Sequence, residues 1–335
     1  MNGAGTRPTA PSGAALQEIQ APVRDALDRV LGEMRRIATA DLPMIDSLGG
    51  HLLQMRGKMF RPTLALLSSA ASGTPETRAV TVAAIVELLH LATLVHDDSV
   101  DHAALRRGLP TLNALFGHQV SVIMGDYLYS RALVELVTLR DLELMDVLAH
   151  MTNRLTVGEM RQLAAVDRLG HSEEDYYELI SAKTASLLGA ACETGALCGA
   201  GEHRAALRRY GDRLGMAFQI VDDMLDYVED SAVTGKPSGN DLREHKVTLP
   251  LIAALPRLSP AGRARVESLF AAEVPDDGQI AEVVAAVVDA GGIEESRRRG
   301  DAFAREAEEA LAPVPESPAR AALVDAIAYV MDRRW

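Results

Sequence analysis

Two acidic pentapeptides, DDSVD at Asp97–Asp101 and DDMLD at Asp222–Asp226, are the residues of this sequence best placed to do chemistry. On a helix, the first and fifth residues of such a box lie one turn apart on one face. Asp97 and Asp101 therefore point the same way, as do Asp222 and Asp226. Clustered carboxylates repel and need neutralising. A hard divalent cation does this with oxygen ligands, and magnesium bridges a few carboxylates to substrate phosphates while keeping several waters. Two boxes suggest a cavity built for a metal-bound diphosphate. The plainer alternative is a solvated acidic helix face. The flanks argue against it, because both boxes close apolar helical runs, ELLHLATLVHDD and GMAFQIVDD. Burying carboxylates at the end of such a run is costly without a cation.

Diphosphate also calls for fixed positive charge, and several segments supply it. RGKMFRP carries Lys58 and Arg61, LRRGLPT carries Arg106 and Arg107, and SAKTASL carries Lys183 and Thr184. Lys236 and Lys246 lie in a stretch just beyond the second box. Arginine grips phosphate oxygens as a fork and lysine as a point charge. Each alone is most simply a surface charge; their joint occurrence around the boxes is what carries weight. His90 sits two helical turns before Asp97 on the same face and can donate to a diphosphate oxygen. Gln219, three residues before Asp222, shares the face of the second box, and a buried glutamine needs partners.

The elements that must hold these residues are helices. From about Leu16 to Trp335 the apolar spacing is helical and alternating strand patterns are missing. Breaks with turn chemistry fall at Ser47–Gly50, Ser72–Glu76 and Arg106–Pro110. A fourth, Glu229–Lys246, is long, charged and glycine-containing, as functional lids often are. Ten or more helices in one all-α domain, residues 16–335, are expected. Residues 1–15, rich in Gly, Pro, Ser and Thr, read as a disordered tail and not as a signal peptide.

Composition narrows the function. The chain has 335 residues, 48% of them hydrophobic but only 4% aromatic, and a net charge of −13. So acidic a protein is a poor partner for nucleic acid. Two cysteines, Cys192 and Cys198, fit neither a zinc motif nor a disulfide framework. They predict buried thiols in a reducing cytoplasm. No uninterrupted apolar run is long enough to predict a transmembrane helix.

Taken in order, GKMFRP, ELLHLATLVHDDSVDHAALRRGLPT, GDYLYSRAL, GEMRQL, ISAKTASLLGAA, GMAFQIVDDMLDY and GKPSGNDLREHKVTLPL resemble the trans-polyprenyl diphosphate synthases. The resemblance covers nearly the whole chain. It implies an isoprenoid synthase fold, an all-α barrel of helices around a central cavity, and usually a homodimer. It implies that Asp97, Asp101 and Asp222 ligate magnesium, supported by Asp98, Asp223 and Asp226. An allylic diphosphate would be held through the metals by Arg106, Lys183, Thr184, Gln219, Lys236 and Lys246. Isopentenyl diphosphate would be held by Gly57, Lys58, Arg61, His90 and Arg107. One departure stands out: His245 occupies a position where the family usually has glycine, which puts the local backbone geometry in question.

Two other readings fit less well. A terpene cyclase of the same fold carries an NSE-like triad in place of a second DDxxD and lacks the set of Lys58, Arg61 and Arg107. A non-catalytic partner subunit loses its boxes, and both are intact here. Product length should follow from the helix above the first box. Family members that stop early carry a bulky aromatic four or five residues upstream, where this chain has Thr93 and Ala92. Leu89, Leu88 and Ile85 lie deeper, and a floor at Leu136 or Leu148 is conceivable. A helical turn rises about 5.4 Å, close to one isoprene unit, so small residues here predict a product of six or more units. A short-chain farnesyl or geranylgeranyl product is the alternative.

Overall fold

The computed structural model describes residues 12–55, 57–71, 73–165, 169–199, 201–228 and 239–332. These are almost wholly helical. In chain order the helices are α1 (Ser12–Gln20), α2 (Arg24–Ala38), α3 (Pro43–Gln54), α4 (Phe60–Ala71), α5 (Arg78–Val100), α6 (Leu112–Phe116), α7 (His118–Thr138), α8 (Leu142–Ala165), α9 (Glu173–Ile180), α10 (Ser186–Leu197) and α11 (Arg204–Val228). After the second box come α12 (Asn240–Arg243), α13 (Leu249–Ala254), α14 (Pro260–Phe270), α15 (Asp277–Asp289), α16 (Gly292–Ala310) and α17 (Pro318–Met331).

The two helices that carry the boxes are core elements. α5 is apolar nearly all round, and from Val82 to Leu89 every residue is buried, as such a helix requires. It is the one described helix long and apolar enough to cross a membrane, but 67% of its most apolar window is buried inside the protein. α2, α4 and α7 pack against it. α10 bridges α4, α8 and α11, and α16 packs along α11. Between α9 and α10 runs a single π-helical stretch, Ser181–Ala185. Such stretches are rare and often mark functional sites; this one carries Lys183 and Thr184.

Three local expectations are revised. α1 starts at Ser12, earlier than the boundary at Leu16. Ser47–Gly50 is no break, because it lies within α3, whose buried Leu48, Gly49 and Leu52 are fixed by packing despite the glycine pair. And Arg106–Pro110 is more than a turn. Leu105–Arg106 (β1) and Leu109–Pro110 (β2) form a two-stranded hairpin, with Arg106 opposite Leu109. Its loop residues, Arg107 and Gly108, both have positive φ, 53° and 78°, the requirement of a type I′ turn.

The contact of α4 with α10 depends on Gly195. A Cβ there would come within 2.1 Å of the Ala65 carbonyl oxygen, and neither backbone can yield. Gly195→Ala is expected to cost about 1–3 kcal/mol, the usual range for overpacking. A thermal melt would show this as a midpoint several degrees lower. An unchanged midpoint would contradict so close a helix approach.

Candidate active site

The first box closes α5, with Asp101 as its C-cap and its amide donating to the Asp97 carbonyl at 2.8 Å. Asp97 is half-buried and Asp101 exposed, while Asp98 is turned inward at 3% exposure. There Asp98 accepts Arg106 Nε at 2.7 Å. In the second box Asp223 is the buried member. It accepts the Tyr176 hydroxyl at 2.6 Å and Gln219 Nε2 at 2.7 Å. Asp226 accepts the backbone amides of Asn240 at 3.1 Å and Asp241 at 2.9 Å, so it fastens the start of α12. Asp98 and Asp223 are thus buried, Asp97 and Asp226 partly accessible, and Asp101 and Asp222 exposed.

Charge couples the two boxes. Lys183 pairs with Glu159 of α8 at 2.7 Å, and its field acts on Asp97. The next residue, Thr184, donates to Gln219 Oε1 at 2.7 Å, so adjacent side chains of the π-helical stretch reach towards both boxes. Lys246 pairs with Glu244. Burial works against its charge, but Glu244, Asp241 and Asp101 together outweigh that and raise it. Lys246 therefore lies within reach of the first box and of Asp241, whose own carboxyl burial pushes well up beside Asp223 and Asp226.

The carboxylates carry the cost of this crowding. Burial pushes Asp97 up to about 6, with Lys183 opposing and Glu159 and Asp101 adding to the rise. Burial raises Asp223 as well, helped by Asp222 and Asp226 and opposed by the bonds from Tyr176 and Gln219. Among the described residues, no three acidic, histidine or cysteine side chains converge closely enough to ligate an ion unaided. An ion held here must complete its shell with oxygens from elsewhere. Water and a diphosphate would supply such oxygens, and all-oxygen donor sets suit magnesium.

A second basic cluster lies beside α5. Arg107, at the tip of the hairpin, donates to the Met55 carbonyl at 2.7 Å. Its guanidinium lies 2.6 Å from where a Cβ on residue 57 would stand, so any larger residue there would displace the Arg107 side chain. Burial, reinforced by Arg61, Arg107 and Arg106, holds the His90 imidazole well below its ordinary value and hence neutral. Glu87, one turn earlier, is buried at 8% exposure beside Arg61 and Arg107. Lys58 is exposed, with its ammonium 5.8 Å from the Tyr329 ring. Gly57, Lys58, Arg61, His90 and Arg107 thus gather in one region. Lys236 lies outside the described residues.

Comparison with known proteins identifies the family. The polyprenyl synthetase family model matches residues 43–287. The chain belongs to the polyprenyl synthetase family. It is a prenyltransferase with the isoprenoid synthase fold. It is 37% identical over 322 residues, 95% of this chain and 98% of the relative, to an all-trans-nonaprenyl-diphosphate synthase of Rhodobacter capsulatus. It is 38% identical to an Escherichia coli octaprenyl diphosphate synthase, over 85% of this chain and 88% of that one. The crystal structure of a Caulobacter crescentus polyprenyl synthase, complexed with calcium and isoprenyl diphosphate, superposes with a TM-score of 0.90 at 31% identity. The match covers 96% of this chain and 98% of that one.

Several site residues escaped the sequence reading. Glu159 lies in GEMRQL and Asp241 in GNDL, segments that carried the resemblance but had been given no role. Glu87 sits in ELLH, three residues before His90. Nothing local marks Tyr176. The product-length residues are placed unevenly. Thr93 is partly accessible, in a stripe with His90, Leu94 and Asp97. Ala92 and Leu89 are each 2% exposed and lie in the packed core with Leu136 and Leu148. His245 takes a positive φ of 53°, which explains the family's glycine. Its ring stacks on Phe270 at 5.3 Å, a contact glycine cannot make.

The sign of the Asp97 shift is testable. Folding raises this carboxyl from 3.8 to about 6, so its ionised form costs stability above that range, and the cost fades as pH falls towards the lower value. Asp97→Asn should raise the thermal midpoint of the metal-free protein at neutral pH, with the gain shrinking through about pH 6. His90, kept neutral, works the other way by losing stability as pH falls. Wild type and variant must therefore be compared at each pH. A variant less stable at every pH would contradict the crowding of the boxes.

Proposed function

We propose that this prenyltransferase condenses isopentenyl diphosphate with an allylic prenyl diphosphate and releases pyrophosphate. The observation that carries the reading is the pair of carboxylate boxes together with two cationic clusters: Lys183, Lys246 and Arg106 beside the boxes, and Lys58, Arg61 and Arg107 beside His90. The carboxylates are read as magnesium ligands. The Caulobacter crescentus relative, complexed with calcium and isoprenyl diphosphate, supports a divalent ion and a prenyl diphosphate here.

Magnesium held by Asp97, Asp101 and Asp222 would neutralise the charge that builds on the departing diphosphate. Lys183, Lys246 and Arg106 add fixed positive charge to the same oxygens. Lys236 is read as a further allylic-site cation. The allylic C–O bond breaks heterolytically, and pyrophosphate leaves with the electron pair. Arg107, Arg61, Lys58 and His90 hold isopentenyl diphosphate so that its double bond attacks the resulting carbocation. A new C–C bond forms. The proton then lost goes to the released pyrophosphate, leaving an allylic diphosphate one isoprene unit longer. Thr184 and Gln219, joined to each other and to Asp223, orient that side of the site.

We read the product as all-trans with six or more isoprene units, built on a farnesyl or geranylgeranyl primer. The octaprenyl and nonaprenyl relatives and the small Thr93 on the accessible stripe of α5 support this. The chain is further read as a single domain that pairs with a second copy. α7 and α8 leave Ile123, Val134, Leu142, Val157, Met160 and Leu163 exposed, apolar side chains that pairing with a second copy would cover. Buried, unpaired Cys192 and Cys198 fit the cytoplasm.

Incubation with isopentenyl diphosphate, magnesium and each candidate primer tests the reading. Products of six or more units are expected; cyclised hydrocarbons, or no use of isopentenyl diphosphate, would contradict it. Within that assay Arg107→Ala should raise KM for isopentenyl diphosphate about ten- to a hundredfold, as loss of a charge-assisted contact does. Lys183→Ala should act mainly on the allylic substrate. Thr93→Phe should shorten the product while sparing the first condensation. Equal effects of Arg107→Ala and Lys183→Ala on both substrates would undo the assignment of two diphosphate sites.

A further inference from the structure

Lys58 sits in a strained loop. The residue after it, Met59, is buried at 7% exposure with a φ of +54°. A long side chain in the left-handed region costs energy and persists only where its surroundings over-determine it. Two elements outside every recognised motif supply that constraint. Gln20, the last residue of α1, donates from Nε2 to the Lys58 carbonyl at 3.0 Å and lies 3.2 Å from Thr63 Oγ1. Thr63 in turn donates to the Met59 carbonyl at 2.7 Å. The same amide thus holds the loop on both sides of the strained residue.

The side chain of Lys58 is held from the other end of the chain. Its ammonium lies over the ring of Tyr329, in α17, within the range of a cation–π contact. Phe60 lies between the rings of Tyr329, 5.8 Å away, and Phe218, 6.3 Å away. Phe218 immediately precedes Gln219 on α11, so the aromatic row runs from Lys58 to the helix of the second box. α1 and α17 also pack against each other.

From these contacts we infer that Gln20 and Tyr329 are positioning residues for the isopentenyl diphosphate site: the two terminal helices clamp the Gly57–Phe60 loop and aim Lys58. The inference rests on the assignment of Lys58 to that substrate. It differs from a general packing role in being selective. A loop that has lost its clamp weakens the diphosphate it contacts and leaves the allylic site, built on Asp97, Lys183 and Asp222, unaffected.

The test is steady-state kinetics on Gln20→Ala, Tyr329→Leu and Tyr329→Phe, varying each substrate in turn, with a thermal melt of each variant. Tyr329→Leu should raise KM for isopentenyl diphosphate about two- to fivefold, the value of one cation–π contact. Tyr329→Phe keeps the ring and should restore it. Gln20→Ala should raise the same KM about fivefold, the value of one net hydrogen bond. The allylic KM should stay at its wild-type value in all three. Gln20 is the safeguard should Tyr329→Leu fold poorly. Equal rises in both KM values, no rise at all, or failure of Phe to restore would overturn the clamp. Failure of the wild type to consume isopentenyl diphosphate would instead overturn the function on which the clamp rests.

Discussion

Crowded negative charge governs this structure. Two acidic boxes, on helices that are otherwise core elements, carry carboxyls whose ionisation the fold itself opposes. Asp97 and Asp223 are both raised by burial and by neighbouring acids. The protein offsets part of the cost with Lys183, Lys246 and Arg106, and part with donors to the inner carboxylates: Tyr176, Gln219 and the amides of Asn240 and Asp241. Asp101 and Asp222 are exposed and Asp97 partly so, so water screens some of what remains. A divalent ion carrying a diphosphate is the natural complement to the rest.

The same logic shapes the less regular parts of the chain. Arg107 sits at positive φ at a hairpin tip, and Met59 and His245 share that conformation. Each adjoins a residue given a diphosphate role, or has one itself. In the π-helical stretch, Lys183 donates to Glu159 and Thr184 to Gln219.

Much of this was legible in the sequence, because the strongest signals were also the most local. The boxes announce themselves by spacing and the helices by period, whereas the Arg106–Pro110 segment showed only as a break and not as a hairpin. The unrecognised parts share a different cause. Tyr176 and Glu159 act only through groups far away in sequence, so no local pattern marks them. The glycine pair at Gly49–Gly50 looked like a turn because turn chemistry is local, whereas the packing that keeps α3 helical is not. Ala92 illustrates the limit most clearly. Its spacing from Asp97 is plain, but whether it faces open space or a neighbouring helix depends on the packing of α5, which buries it.

The central claim, that the two boxes jointly hold a metal-bound diphosphate, is tested most directly by thermal stabilisation with magnesium and inorganic pyrophosphate added together. Wild type should be stabilised by the pair well beyond either alone. Asp97→Asn or Asp222→Asn should each abolish most of that gain, because a site shared between boxes fails when either is neutralised. Full stabilisation surviving in both variants would show that the carboxylates crowd together for some other reason, and the account built on them would be wrong.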